Sequence, residues 1–163
     1  MAETNPFTLA HQAIWTCLEA SAEFTAAVRT KVKFTESDRD PWTRLANVQT
    51  FPAVAVLPAG GMTRLEADSD QTFVEKEFHI VEASGDQRID ELFDVELAVL
   101  RAMAAWRTYV SVTWNSKACI LDCTIRTRSE ELDRELVNRG IRGWSGICTG
   151  KLLFHFTTTD LQE

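Results

Sequence analysis

The sequence lacks any apolar run that approaches the ~18 residues needed to cross a membrane as a helix. Its first residues, MAETNPF, also lack the basic and then apolar layout of a signal peptide. Internal repeats and low-complexity tracts are absent as well. We therefore expect an intracellular protein with a single domain over residues 1–163, because a chain of this length can enclose a hydrophobic core.

Cysteine pairs with the CxxC spacing of a zinc or redox site are absent, although the chain has four cysteines. Cys119 and Cys123 share one face of a predicted strand, where ~3.3 Å per residue places them ~13 Å apart. That separation is too long for a disulfide or for two ligands of one zinc ion. We predict that Cys17, Cys119, Cys123 and Cys148 are buried, reduced thiols and that there is no metal site.

The sequence also lacks the motifs of the common catalytic classes. It contains no GxxxxGK followed by Ser or Thr, no GxSxG and no HExxH. The three histidines, His11, His79 and His155, fall on different predicted elements, and none has a carboxylate or thiol at ligand spacing. These absences favour a protein that is not an enzyme and binds no cofactor.

An excess of basic residues is missing too, and the net charge of −7 argues against a protein that coats duplex DNA. The charge is unevenly distributed. Residues 1–100 carry 8 basic and 17 acidic side chains, whereas residues 101–163 carry 9 and 7. This difference is compatible either with ordinary scatter or with complementary faces that attract each other head to tail.

What the sequence does contain is one long segment with helical periodicity, Ser84–Trp106, flanked by strand-like apolar runs. Ser84 and Gln87 fit a capping box at its start. The apolar side chains cover an arc of about 200°, which predicts a helix laid across a sheet with its flanks partly covered. They are Ile89, Leu92, Phe93, Val95, Leu97, Val99, Leu100, Met103 and Trp106.

Glu96 falls in the middle of that apolar arc. A carboxylate there must be paired, protonated or in contact with another molecule. Three arrangements remain open: a bond to a basic side chain such as Lys117 or Arg126, a rotation of the helix that lets Glu96 reach water, and a contact between subunits.

The remaining elements predict an α+β two-layer sandwich, in which two helices pack on one face of a mainly antiparallel sheet. An N-terminal helix begins with Asn5 at its cap and Pro6 at its first position, and Ser21 interrupts it. The principal order is α-β-β-α-β-β. The predicted strands are Phe51–Leu57, Thr72–Ala83, Thr108–Trp114, Ala118–Arg128 and Trp144–Thr158.

Three segments are predicted outside regular strands. Thr35–Thr50 has no clear period and contains turn formers, and Met62–Gln71 is polar and acidic, as expected of a mobile surface loop. Ser129–Arg139 is predicted as a short exposed helix or a structured loop. Trp42 and Trp144 lie beside turns, where aromatic residues are either local anchors or interface hot spots.

Taken together, the ordered elements resemble those of the phage tail terminators, small ring-forming proteins that complete the tails of long-tailed phages. The similarity runs through the N-terminal helix, FPAVAVLPAGG, the hydrophilic loop, TFVEKEFHIVEA, SGDQRIDELFDVELAVLRAM and the strand pair that ends in GKLLFHFTT. It covers nearly the whole chain as a pattern and depends on no diagnostic motif.

The resemblance implies a structural virion protein rather than an enzyme. Such a protein forms a ring, expected to be a hexamer, that caps the tail tube, stops its polymerisation and provides the surface for head joining. Its partners would be the tail tube protein and a head–tail connector or neck protein. DNA would pass through an acidic lumen without specific binding, and assembly would take place in the host cytoplasm.

Within this interpretation, the Met62–Gln71 loop is the predicted tube-docking element, with Arg64, Glu66, Asp68 and Asp70 exposed. Glu96, Trp42 and Trp144 are the other predicted interaction residues. Two alternatives remain: another neck or head–tail joining protein, and a monomeric ligand-binding or enzymatic α+β domain that uses a pocket near Glu96.

Overall fold

A computed structural model describes residues 5–33, 45, 47–65, 70–85, 88–132 and 143–162. At residues 64–65 and 127–132 the description is of the backbone alone. The helices are α1 (Pro6–Glu19), α2 (Ala22–Ala27), α3 (Ile89–Met103), α4 (Trp106–Tyr109) and α5 (Thr158–Gln162). The strands are β1 (Thr30–Val32), β2 (Ala53–Leu65), β3 (Gln71–Ala83), β4 (Thr113–Trp114), β5 (Lys117–Ala118), β6 (Ile120–Leu132) and β7 (Trp144–Thr157).

Five strands form one mixed sheet in the order β1-β2-β3-β7-β6. Only the β1–β2 pair in this sheet is parallel, whereas β2–β3, β3–β7 and β6–β7 are antiparallel. The strands β4 and β5 form a separate small hairpin. The predicted α+β class and mainly antiparallel sheet are therefore confirmed, while β1 lies outside every predicted strand.

The main hydrophobic core joins α1, α2 and α3 to one face of the sheet. Along β3, Val74, Phe78 and Ile80 are buried in this core, as their alternation predicts. A smaller cluster lies on the opposite face, where Leu45 covers the ends of β2 and β3 around Ala55. The rest of that second face is lined by partly buried and exposed residues.

The two N-terminal helices begin where the sequence places their caps. The side-chain oxygen of Asn5 accepts a hydrogen bond from the amide of Phe7 at 2.8 Å. The hydroxyl of Ser21 accepts one from the amide of Phe24 at 3.2 Å and so starts α2. The predicted interruption at Ser21 is confirmed.

The strand β2 continues well beyond its predicted end at Leu57 and reaches Leu65. A register shift between Pro58 and Gly60 interrupts its pairing with β3, and the backbone of Gly60 has a φ of 100°. The proline is tolerated because it lies at an irregularity, past the stretch Ala53–Ala55 that pairs with β1. Consequently Met62–Leu65 and Gln71, predicted as parts of a mobile loop, belong to a long β2–β3 hairpin.

Two other predicted boundaries are wrong. The segment Thr108–Trp114 is not one strand, because Trp106–Tyr109 is helical and only Thr113–Trp114 pairs. The predicted turn at Asn115 and Ser116 is present, and both residues have positive φ angles. Residues 129–132 continue β6 rather than forming a helix or loop, and the rest of Ser129–Arg139 lies outside the described residues.

The long helix is shorter than predicted at both ends. α3 begins after Arg88, which caps it without a side-chain hydrogen bond, and the helix ends at Met103. Ser84, predicted as the cap, is instead buried after the end of β3, where its amide donates to the carbonyl of Trp144 at 2.9 Å. Gln87, the other residue of the predicted capping box, lies outside the described residues.

Candidate assembly surfaces

One side of α3 carries an exposed row of large apolar side chains. Phe93, Leu97 and Leu100 are 50%, 45% and 38% exposed. Their i, i+4, i+7 spacing places them along one face of the helix. We call these three residues the helix stripe. The wide apolar arc that the sequence predicts is therefore only partly buried, because the sheet and its neighbouring helices cover the opposite part of the arc.

The opposite side of α3 is buried. Leu92, Val95 and Val99 are almost completely buried in the main core. A short ion pair of 2.9 Å between Arg101 and Glu23 joins α3 to α2 at the surface. Because Leu92, Val95 and Val99 face the core, the helix stripe on the other side of α3 points away from it.

A second apolar group lies on the outer face of the sheet, on the side opposite the helices. Met62 is 66% exposed, and together with the partly buried Phe73 and Leu153 it lines a shallow cavity of about 410 Å³. We call these three residues the sheet patch. Alternation along β3 and β7 places Phe73 and Leu153 on the face away from the helices.

Charged pairs border the sheet patch. Lys151 bonds the carboxylate of Glu75 at 2.9 Å, and Arg126 bonds that of Glu77 at 2.6 Å. These are cross-strand pairs on a partly exposed face, so each contributes little to the stability of the monomer. They give the patch a polar margin, which is the usual arrangement around an apolar contact area.

Glu96 is buried, and it lies beside a second buried acid that the sequence analysis did not single out. A Cβ placed on Gly146 would meet Oε2 of Glu82 at 2.5 Å and would also run into Oε1 of Glu96. The two carboxylates therefore sit over the same glycine of β7. The signal for Glu82 was available, since the alternation that buries Ile80 also turns Glu82 toward the helices.

The two basic partners proposed for Glu96 are occupied elsewhere. Lys117 bonds Asp160 at 3.3 Å, and Arg126 bonds Glu77 on the outer face. An arrangement in which Glu96 reaches water is also inconsistent with its burial. The burial of Glu96 agrees with its predicted position inside the apolar arc.

The other predicted interaction residues do not form one cluster. Asp70 is exposed, and its carboxylate accepts a hydrogen bond from the amide of Thr158 at 2.9 Å, which links the hairpin to α5. Trp144 begins β7 and is partly buried. Arg64 lies in β2, where only its backbone is described. Trp42, Glu66 and Asp68 lie outside the described residues.

All four cysteines are buried free thiols, as predicted. The thiol of Cys17 donates to the carbonyl of Ala102 at 3.2 Å, which ties α1 to α3. Burial raises the pKa of Cys123 to about 12. At neutral pH its thiolate fraction is therefore very small, and Cys123 acts as an apolar core residue.

Within the described ranges, no three His, Cys, Asp or Glu side chains are placed to hold a metal ion. The helices in that part of the chain are all too short or too polar to span a membrane. The sequence matches no protein-family model and no curated protein at a significant level.

Proposed function

We propose that the protein is a structural component of a phage tail, in which identical subunits form a ring that caps the tail tube, stops its growth and provides the surface for head joining. The observation that carries this proposal is the helix stripe. Three large apolar side chains in a row on one helix are typical of a surface that packs against another protein. The order of secondary-structure elements, which resembles that of tail terminators, supplies the identity of the assembly.

Association of subunits would remove the side chains of the helix stripe from water. Full burial of a Leu or Phe side chain is worth roughly 1.5–3 kcal/mol, so covering a half-exposed one contributes about 1 kcal/mol. Three such residues on one face therefore provide a favourable centre for an interface. The surrounding acidic residues Asp90 and Asp94 would remain at its margin.

The position of the sheet patch suggests how copies are joined. It lies on the opposite side of the molecule from the helix stripe, so one surface of a subunit can contact the other surface of the next. Contacts between two different surfaces are heterologous, and they generate a closed ring when the rotation between subunits closes. A hexamer is the expectation from the resemblance.

The tip of the β2–β3 hairpin is the proposed contact with the tail tube protein. Along the sequence, Glu66 and Asp68 lie between Arg64 of β2 and Asp70, which precedes β3. In the proposed ring, the acidic residues of the first hundred positions contribute to a lumen through which DNA passes without binding. The proposed location is the neck end of the virion tail, adjacent to the head–tail connector.

The ring interface is tested with three single substitutions of comparable exposed apolar residues. Leu97→Glu removes the helix stripe, Met62→Glu removes the sheet patch, and Leu161→Glu is the matched control at a residue that is 48% exposed on α5. We expect wild type and the control to form rings by analytical ultracentrifugation and negative-stain microscopy. Each of the other two variants alone is expected to be monomeric and folded by circular dichroism.

Mixing the two monomeric variants tests the heterologous contact directly. Each retains one intact surface, so an equimolar mixture should form a heterodimer and go no further. A mixture that stays monomeric would contradict this pairing of surfaces. Wild-type protein that remains monomeric at high concentration would contradict the proposal that the protein forms a ring.

A last assay separates a terminator from the neighbouring neck proteins. Rings added to the polymerising tube protein of the same genome should bind tube ends and limit tube length. Rings that bind the connector but leave tube length unchanged would instead support a head–tail joining role.

A further inference from the structure

A half-open cavity lies between α1 and the helix-facing side of the sheet, away from both the helix stripe and the sheet patch. Its volume is about 280 Å³, close to the lower end of the roughly 300–1,000 Å³ range of small-molecule sites. One face of α1 forms its roof through Phe7, His11 and Ile14. Phe78 and Phe154 form part of its floor. The alternative site considered from the sequence, a pocket near Glu96, is not this one, because Glu96 is not among the lining residues.

Two glycines keep this cavity from being filled. A Cβ at Gly150 would run into the ring of Phe78, the residue that pairs with it across β3 and β7. The glycine therefore lets the ring lie flat against β7 instead of rising into the cavity. At the rim, Gly60 adopts a φ of 100°, and a Cβ there would meet no atom within 4 Å. The rim is therefore open at Gly60.

The roof and the floor of the cavity meet through two aromatic side chains. The rings of Phe7 and Phe154 meet edge to face, with centroids 5.0 Å apart and an interplanar angle of 82°. Such a corner presents both a ring face and a ring edge to an occupant, which is the arrangement that aromatic groups prefer for a further ring.

One positive charge stands at the cavity. Nζ of Lys76 lies 4.7 Å from the centroid of the Phe7 ring. The acids on either side of it along β3 are Glu75, which bonds Lys151 on the other face of the sheet, and Glu77. Glu77 also lines the cavity, but its carboxylate bonds Arg126. Among the described residues, no carboxylate lies within ion-pair distance of Lys76.

The second polar group is His11. Burial lowers the pKa of this imidazole, because the charged form is disfavoured away from water. At neutral pH it is therefore uncharged and can donate or accept one hydrogen bond. The cavity thus combines an aromatic floor, one cation at its edge and one neutral hydrogen-bonding ring.

We infer that this cavity binds a small aromatic carboxylate, with the ring of the ligand packed against the corner that Phe7 and Phe154 form and its carboxylate on Lys76. The match is between one negative charge at the end of a flat apolar body and one ammonium at the edge of an aromatic cavity. The inference concerns the single subunit and does not depend on ring formation.

The test uses 3-phenylpropanoate as the probe and the uncharged 3-phenylpropanamide as its matched control. Binding to the full-length protein is followed in carbon-13 methyl spectra, where Ile14 and Leu152 report on the cavity. We expect the acid to bind about tenfold more tightly than the amide, because it forms a charge-assisted bond to Lys76. In Lys76→Met the two ligands should bind equally weakly.

Lys151→Met is the control substitution, since it removes a lysine from the opposite face of the same sheet. It should keep the tenfold preference. The inference is overturned if the methyl signals of wild type do not respond to the acid, if acid and amide bind alike, or if Lys151→Met loses the preference as Lys76→Met does.

A further arm distinguishes a free acid from an acidic side chain supplied by a neighbouring copy. The titration is repeated on wild-type protein under assembly conditions and on Leu97→Glu. Equal binding to both supports a small-molecule site. Binding confined to Leu97→Glu would show that a neighbour fills the cavity on assembly, and it would overturn the assignment to a free ligand.

Discussion

Gly60 and Gly61 are neighbours in β2 and both have positive φ angles, but Gly61 carries an additional steric restriction that Gly60 lacks. At Gly60 the space is open and the backbone itself is unusual, with a φ of 100°. At Gly61 a Cβ would overlap the carbonyl oxygen of Glu75 in β3. That oxygen belongs to the backbone of the paired strand, so it cannot move away without disturbing the hairpin.

We therefore predict that Gly61→Ala lowers the free energy of unfolding more than Gly60→Ala. Gly61→Ala should cost about 2–3 kcal/mol by overpacking, whereas Gly60→Ala should cost roughly 1–2 kcal/mol through its left-handed backbone. Urea denaturation of both variants and wild type measures the difference. The reverse order would show that the close approach of β2 and β3 at Gly61 is not maintained in solution.

For individual residues, the sequence predicts whether a side chain is buried better than it predicts which side chain it bonds. The inward positions of Cys119, Cys123 and Cys148 follow from alternation along the strands, and the burial of Glu96 follows from helical periodicity. The bonds of Lys117 and Arg126 do not follow, because they depend on which strands become neighbours. Spacing along the chain carries no information on that point.

Among the elements, α3 shows what helical periodicity can and cannot predict. The pattern correctly predicts a helix with a wide apolar arc, but the arc alone does not say how much of it neighbouring elements cover. α3 buries Leu92 and Val99 and leaves Leu97 in contact with solvent. A wide arc on a helix at the surface of its layer is thus compatible with both a buried flank and a contact surface.

Strand ends were harder to predict than helix starts. Pro58 suggests the end of a strand, yet β2 passes through it because a bulge absorbs the irregularity. Asn5 and Ser21, in contrast, act within one turn of the residues they cap, so their effect is local and readable from sequence.

The N-terminal cap provides a test at the level of one helix. Asn5→Ala removes the acceptor for the amide of Phe7 and should lower the free energy of unfolding by about 1 kcal/mol. Asn5→Asp keeps an acceptor and should remain within a few tenths of a kcal/mol of wild type. Thermal or urea denaturation distinguishes the two. Equal stability of the alanine and aspartate variants would mean that the cap contributes nothing to α1.

For the whole molecule, the layers of the fold were predictable and the contact surfaces were not. The alternation of helix-period and strand-period segments is enough to predict an α+β sandwich with a mainly antiparallel sheet. The exposure of the helix stripe depends on which elements pack against α3, and spacing along the chain does not encode that. The sheet patch and the cavity beneath α1 combine residues of different elements, which the register of β2, β3 and β7 brings together.

The salt dependence of the proposed self-association distinguishes attraction between charged faces from apolar contact through the helix stripe. Attraction between the acidic residues 1–100 and the more basic residues 101–163 would weaken as salt rises from about 0.1 to 1 M, since the screening length falls from ~10 to ~3 Å. Contact through the helix stripe should be unchanged or strengthened, particularly by sulfate. We predict the second behaviour, measured by sedimentation velocity across the salt series. Dissociation at high salt would favour the charge mechanism.

The irregular middle of β2 also affects how the protein behaves at high concentration. Beyond Ala55, within the described residues, β1 no longer pairs with β2, and this part of the strand is an edge. Unprotected edges recruit strands from other chains and start amyloid-like aggregates. Pro58 has no amide hydrogen to offer, and the bulge at Gly60 breaks the even spacing that an incoming strand would need. We therefore expect the same irregularity to limit edge-to-edge aggregation at high protein concentration.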